Sequence, residues 1–252
     1  MITNTNATNS QNTAKMTFHV LTLFPEMIQQ ACEHSILKRA MTAEIIRISC
    51  INIRDFAVNK HGQVDDEPYG GGAGMVMMST PIYQAYTSVI ENLRCSQGSQ
   101  SPQNSHFVYL SPQGKPFTQQ KAADLSAKSN LILLCGHYEG VDQRVLDLLA
   151  PEEISIGDYV LTGGELPALV LIDAVARLVP GVVGKNESTA NETFSNNLHG
   201  MLEYPQYTRP QEFQGLQVPP ILLSGHHKNI ENWRKQQSVA ITAKKRPDLL
   251  QN

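Results

Sequence analysis

Residues 155–177 read SIGDYVLTGGELPALVLIDAVAR. The start of this stretch closes a run of strand formers, EEISIG. Its end is an apolar segment that continues to Val179. The joint between them is Gly163-Gly164, followed by Glu165 and Pro167. The apolar segment falls short of the roughly 20 residues needed to cross a bilayer, and it carries Asp173 and Arg177. It therefore reads as a buried helix that starts at a flexible joint with charges on both sides.

The flanking sequence has the same alternating character. TFHVLTLF, EIIRISCINI, HFVYLS, LILLCG and EEISIG are rich in strand formers. PEMIQQACEHSILKRAM reads as one helix with Pro25 in its first turn. TPIYQAYTSVIENL reads as another, with Thr80 as N-cap and Pro81 at its first position. TQQKAADLSAK and DQRVLDLL read as shorter helices. Residues 59–79 form a long loop dense in glycine and methionine, and residues 95–105 a polar surface connection. Strands alternating with helices predict an α/β domain with a mainly parallel sheet covered on both faces. The predicted organisation is a disordered tail over 1–15, an α/β domain over 16–180, a linker over 181–206 without periodicity, and a small helical domain over 207–252.

The chain has 252 residues and a formal net charge of −3. That charge excludes a strongly basic nucleic-acid coat but allows a local patch. The polar N-terminus lacks the apolar segment of a signal peptide, and Met16 is a possible alternative start. Four widely spaced cysteines without a CxxC point to reduced thiols in the cytoplasm and to no zinc site.

Three consecutive strand ends carry glycines: YLSPQG, CGHYEG and SIGDYVLTGG. Ligands of open α/β sheets bind at the carboxyl ends of strands, where glycine lets backbone approach them closely. A single glycine of this kind is ordinary turn chemistry. Three such turns in succession favour a shared site. YGGGAGM lacks the third glycine of GxGxxG, and GKP and GKN lack the Ser or Thr of a P-loop. The predicted ligand therefore meets backbone N–H and C=O groups, as adenine and ribose can, rather than a phosphate cradle.

Together, RDFAVNKHGQVDDEPYGGGAGMVMM, YLSPQG, CGHYEGVDQR, SIGDYVLTGGELPALVLIDAVAR, YPQYTRP and LSGHHKNIENWR resemble the bacterial tRNA (guanine-N1)-methyltransferase family TrmD. The resemblance runs from about Met16 to the C-terminus. It implies a SPOUT-type α/β fold with a deep trefoil knot in its C-terminal part, an obligate homodimer and a small helical C-terminal domain. It also implies S-adenosyl-L-methionine as cofactor and tRNA as partner; no membrane partner is expected, since no stretch is long and apolar enough to span a bilayer. By motif position, the cofactor contacts are Tyr109, Leu110, Ser111, Pro112 and Gln113; Gly136, Tyr138, Glu139 and Gly140; and Ser155, Ile156, Gly157, Tyr159, Val160, Leu161, Gly163, Gly164 and Pro167. The glycine pair would let the chain turn back close to adenine, and the following helix would pack on the partner subunit. Tyr69 and Gly70–Gly72 would border the guanine pocket, near Arg54, Asp55, Lys60 and His61, with Asp65 structural.

The implied reaction methylates N1 of guanine 37. A base must take the N1 proton, and negative charge developing toward O6 needs a cationic or hydrogen-bonding partner. Arg177 matches the family arginine assigned to O6, with Asp173 one turn earlier to orient it. The bland reading of that spacing is a local ion pair. The family base is an Asp in a DSF motif. Here GKNESTANETF places Glu192 at that position, with Glu187 a weaker rival and no Asp between Asp173 and Asp248. His137 stands where many members have Arg, either as a phosphate or guanine contact or as a plain surface histidine. Lys228, Arg234, Lys235, Lys244, Lys245 and Arg246 give the C-terminal segment local positive charge suited to RNA. His226, His227 and Trp233 either stack or pack. A methyltransferase acting on another RNA base and a non-catalytic tRNA-binding relative are the competing readings. The linker and C-terminal domain speak against the first, and the full set of cofactor loops against the second.

Overall fold

Phe18 and Val20 of strand β1 (Met16–Thr22) lie in one buried cluster, and Leu21 lies in another. Successive side chains of a strand point to opposite faces, so β1 is covered on both. Strand β6 (Asn130–Cys135) repeats the pattern: Leu131 and Leu133 join the first cluster, Ile132 and Leu134 the second. The two strands are neighbours in a five-stranded sheet of order β2-β1-β6-β5-β7, with β6 at its centre. Its other members are β2 (Ile46–Asn52), β5 (Ser105–Pro116) and β7 (Glu152–Ser155). Every neighbouring pair is parallel, as expected of strands apolar on both sides. This computed structural model describes residues 14–97, 104–184 and 191–250. The predicted tail and the 95–105 connection fall largely outside them.

Helices α1 (Pro25–Cys32), α2 (Ser35–Thr42), α4 (Gln119–Ser126) and α6 (Glu165–Ala176) bury side chains in the first cluster. Helices α3 (Ser79–Gln97) and α5 (Gln143–Leu149) bury theirs in the second. Two short strands, β3 (Asp65–Asp66) and β4 (Val76–Met77), pair antiparallel at the ends of the glycine-rich loop.

Three elements differ from the sequence expectation. The single helix expected over 25–41 is two helices, broken around Ser35 at φ 50°. The cause is phase. Ile28 and Cys32 face the core one turn apart, whereas Leu37, Ala40 and Met41 lie off the same 3.6-residue stripe and need a fresh start to reach it. Helix α3 begins at Ser79, so Thr80 is inside its first turn rather than its N-cap. Strand β5 runs past the expected end at Ser111 to Pro116, with a register shift against β7 between Leu110 and Lys115.

The chain divides into two compact units at Val183/Gly184. In the second, helix α7 (His227–Lys245) is the main element, preceded by a two-residue hairpin of β8 (Glu212–Phe213) and β9 (Leu216–Gln217). The segment before it is fastened to α7: Leu202 N–H donates to Thr242 Oγ1 at 3.0 Å, and Ser238 Oγ donates to Leu202 O at 2.5 Å.

His19 of β1 is half-buried in the first unit. Burial lowers its pKa, opposed by its hydrogen bond with Asn130 at 3.1 Å and aided by nearby Arg47. The folded state thus resists protonating it. Its contribution is intact above the ordinary imidazole value of 6.5 and is lost as pH falls from there toward the folded value. Melting temperatures followed across that window should drop more steeply for the wild type than for His19→Gln.

Candidate functional site

The ends of β5, β6 and β7 and the loops that follow them converge on one pocket of about 230 Å³. Tyr109, Leu110, Ser111, Pro112 and Gln113 line it from β5. Gly136, Tyr138, Glu139 and Gly140 line it from the loop after β6. Ser155, Ile156, Gly157, Tyr159, Val160, Leu161, Gly163, Gly164 and Pro167 line it from the segment between β7 and α6. The structure therefore gathers every position that the resemblance assigns to a cofactor, and adds His137, Ile154 and Thr162.

The first loop exists because β5 bulges. Residues 111–114 leave the ladder, and pairing resumes at Lys115 opposite Ile154, which already pairs with Leu110. A Cβ on Gly114 would strike the backbone of Glu153 and Ile154, so only glycine lets the bulge close against β7. In the second loop, a Cβ on Gly136 would sit 2.9 Å from the Tyr109 ring. Burial, aided by Glu153, pushes the Tyr109 phenol up to about 12, so it remains a neutral donor at physiological pH.

The glycine pair of the third loop is demanded by packing. Gly164 has φ −83°, which any residue adopts. A Cβ there would lie 2.5 Å from Cys135 Cα and 2.9 Å from Gly136 N, both backbone atoms at the end of β6. A Cβ on Gly163 would collide with the His137 ring. Gly164 N–H donates to Gly136 O at 2.9 Å, so the second and third loops are also bonded to each other.

Glu165 is 2 % exposed in the first turn of α6. Its carboxylate accepts from Thr22 Oγ1 at 2.6 Å and from His137 Nε2 at 2.7 Å. His137 is therefore neither a surface histidine nor one extended toward solvent: its side chain is 14 % exposed and packs against Phe24, with ring centroids 5.1 Å apart. The sequence offered one signal for Glu165, an unexplained charge opening an apolar helix. Nothing local in the sequence identified Thr22 as its partner. Beneath these loops, burial and the neighbouring Glu165 push the Cys135 thiol well up, which keeps it protonated.

The glycine-rich loop is tied to the same site. Glu139 N–H donates to Met75 O at 3.0 Å, Met77 N–H to Gly140 O at 2.9 Å and Asp142 N–H to Met77 O at 3.0 Å. Gly70, Gly71, Gly72 and Gly74 all take positive φ, and Tyr69 is 98 % exposed beside them. Arg177 caps the C-terminal end of α6, where its N–H donates to Asp173 O at 3.2 Å. Arg177 is half-buried and Asp173 is exposed.

Glu192 belongs to the second unit. It is half-buried and opens a turn in which Ser195 N–H donates to Glu192 O at 2.9 Å. Glu203 N–H donates to Thr193 Oγ1 at 3.0 Å, so this part of the linker is folded back on itself. Glu187 lies outside the described residues. On α7, Lys235 pairs with Glu231, and Arg234 lies over the Tyr204 ring at 4.8 Å. Trp233 is half-buried, with its ring centroid 6.4 Å from that of Tyr207. Among the described residues, no group of three or more His, Cys, Asp or Glu is placed to hold a metal ion. No helix among them is long and apolar enough to cross a membrane.

Residues 16–252 match the family described as tRNA (Guanine-1)-methyltransferase TrmD. A tRNA (guanine-N(1)-)-methyltransferase of Clostridioides difficile (strain 630) is 52% identical over 234 residues, covering 93% of this chain and 97% of the relative. Proteins of the same name from Alkaliphilus metalliredigens (strain QYMF) and Carboxydothermus hydrogenoformans (strain ATCC BAA-161 / DSM 6008 / Z-2901) are 53% and 54% identical. Each aligns with 93% of this chain, covering 92% and 87% of the respective relative. By its sequence over nearly its whole length, the chain belongs to the tRNA (guanine-1)-methyltransferase TrmD family.

Proposed function

We propose that this chain methylates N1 of guanine 37 in tRNA, using S-adenosyl-L-methionine, as a cytoplasmic homodimer. The observation that carries this reading is the convergence of the three strand-end loops on one pocket. The pocket suits the cofactor. At Gly136, Gly163 and Gly164 in its wall a Cβ would collide with its neighbours, and Tyr109 lies beside them. When bound, S-adenosyl-L-methionine supplies an activated methyl group.

The protein's part is positioning and charge. Glu192 accepts the N1 proton as the base becomes a nucleophile. Arg177 donates to O6, where negative charge develops. The loops lining the pocket are the segment in which we place the trefoil knot. Residues 16–180 form the methyltransferase domain, 181–206 the linker and 207–252 the tRNA-binding domain. The basic side chains of α7 match the phosphate backbone. Apolar side chains remain uncovered on the single chain around α6: Val160 is 82 % exposed, and Leu166 and Val170 are each 48 % exposed. A second subunit seated there would remove them from water.

Methyl transfer to a tRNA transcript carrying guanines at positions 36 and 37, with the modified base then mapped, tests the reaction. Product at another base would favour a different RNA target, and a chain that binds tRNA without transfer would favour a non-catalytic role. The dimer has its own test. If Arg177 and Glu192 reach one site from different subunits, Arg177→Ala and Glu192→Gln are each inactive alone and recover partial activity when mixed. Verified subunit exchange without recovery would count against that arrangement.

A further inference from the structure

We infer that His137 and Glu165 are positioning residues: a buried imidazole–carboxylate couple that locks the loop after β6 onto Gly163-Gly164 and holds the pocket ready for the methyl donor. The inference rests on the function proposed above and assigns these two residues a part in it.

A carboxylate buried to this extent is costly unless it is hydrogen-bonded. Glu165 uses both oxygens. One takes the Thr22 hydroxyl from the end of β1, and the other takes Nε2–H of His137 from the loop after β6. Because ionised Glu165 can only accept, the proton on that imidazole nitrogen is fixed by its partner. Its place in the first turn of α6 adds the favourable end of the helix dipole. Three elements thus meet at one carboxylate.

The imidazole is held on its other sides as well. Phe24 lies against it, and its backbone N–H points at Met77 Sδ, 3.1 Å away. Gly163 lies so near that any Cβ would hit the ring, and a bridge pairs the backbone of His137 with that of Gly163. His137 also lines the pocket. Moving this ring would therefore shift Gly163 and the adjoining Gly164–Gly136 hydrogen bond, both in the pocket wall. An arginine at position 137 keeps an N–H donor for Glu165, whereas phenylalanine keeps the ring and removes the donor.

The test uses the full-length protein and two readouts. Calorimetry with S-adenosyl-L-methionine should show binding weakened about ten- to a hundredfold in His137→Phe and in Glu165→Gln, the size of one lost charge-assisted hydrogen bond. His137→Arg should restore most of the affinity. The double variant His137→Phe/Glu165→Gln should bind no more weakly than the poorer single variant, because both remove one interaction. KM for the methyl donor should rise in these variants while KM for tRNA stays put, a split that general destabilisation would not give. Amide exchange without ligand should quicken at Gly164 in His137→Phe. If that variant does not fold, the same comparison runs between His137→Arg, which keeps its affinity, and His137→Arg/Glu165→Gln, which loses it.

Losses that multiply in the double variant, or variants that bind as the wild type does, would overturn the couple while leaving the proposed function intact. A wild type that takes up no S-adenosyl-L-methionine would instead overturn the function, and with it the donor-positioning role.

Discussion

Gly164→Ala is expected to abolish S-adenosyl-L-methionine binding. One methyl group suffices because of where it would go. The new Cβ would lie 2.5 Å from Cys135 Cα, 3.0 Å from Cys135 C and 2.9 Å from Gly136 N. These are backbone atoms at the end of a central strand buried on both faces, and no rotamer change relieves the overlap. The third loop must lift off the second, which breaks the Gly164–Gly136 hydrogen bond that joins two walls of the pocket. Valine is no more informative than alanine, since the first carbon already collides with the strand. Gly184→Ala is the matched control, because its Cβ meets nothing among the described residues within 4 Å. Calorimetry should show no measurable heat for Gly164→Ala and unchanged affinity for the control, with circular dichroism confirming that the sheet survives. Normal affinity in Gly164→Ala would remove the cofactor from this pocket.

The parts of this fold that were legible in the sequence are those with a local period. Alternation and apolar runs placed the five sheet strands and most helices, because β1 and β6 carry buried apolar residues on both faces and most helices bury a single stripe. Strand order was not legible: β1 lies between β2 and β6, a choice made by packing across more than a hundred residues. The break at Ser35 was hidden because neither Gly nor Pro marks it, and two short helices in succession read as one run of helix formers. The bulge in β5 was hidden because SPQG reads as a turn, and only its contact with β7 makes it part of a strand. Glycine positions in the site were visible, but the reason for Gly164 was not. It carries no unusual φ, so nothing in its own backbone called for glycine. The His137–Glu165–Thr22 network joins residues separated by 28 and 143 positions, beyond the reach of any motif.

Glu192→Gln is expected to lower the single-turnover rate by about 10²–10⁴, the usual contribution of a general base. The amide keeps the shape and hydrogen-bonding capacity of the carboxylate but cannot take a proton at neutral pH. Affinity for S-adenosyl-L-methionine and for tRNA should therefore change little, so the effect falls on kcat. Glu192→Asp discriminates more finely, since aspartate is as basic and one methylene shorter. A freely moving linker would make up that length and retain nearly full activity. The described linker is not free: Thr193 is tied to Glu203, and Leu202 is tied through Thr242 and Ser238 to α7. A carboxylate withdrawn by about 1 Å can cost roughly a hundredfold. The Asp variant should accordingly fall between the wild type and the Gln variant. Wild-type rates in Glu192→Gln would eliminate this residue as the base and direct attention to Glu187. Equal losses in the Asp and Gln variants would mean that the position of the carboxylate matters as much as its basicity.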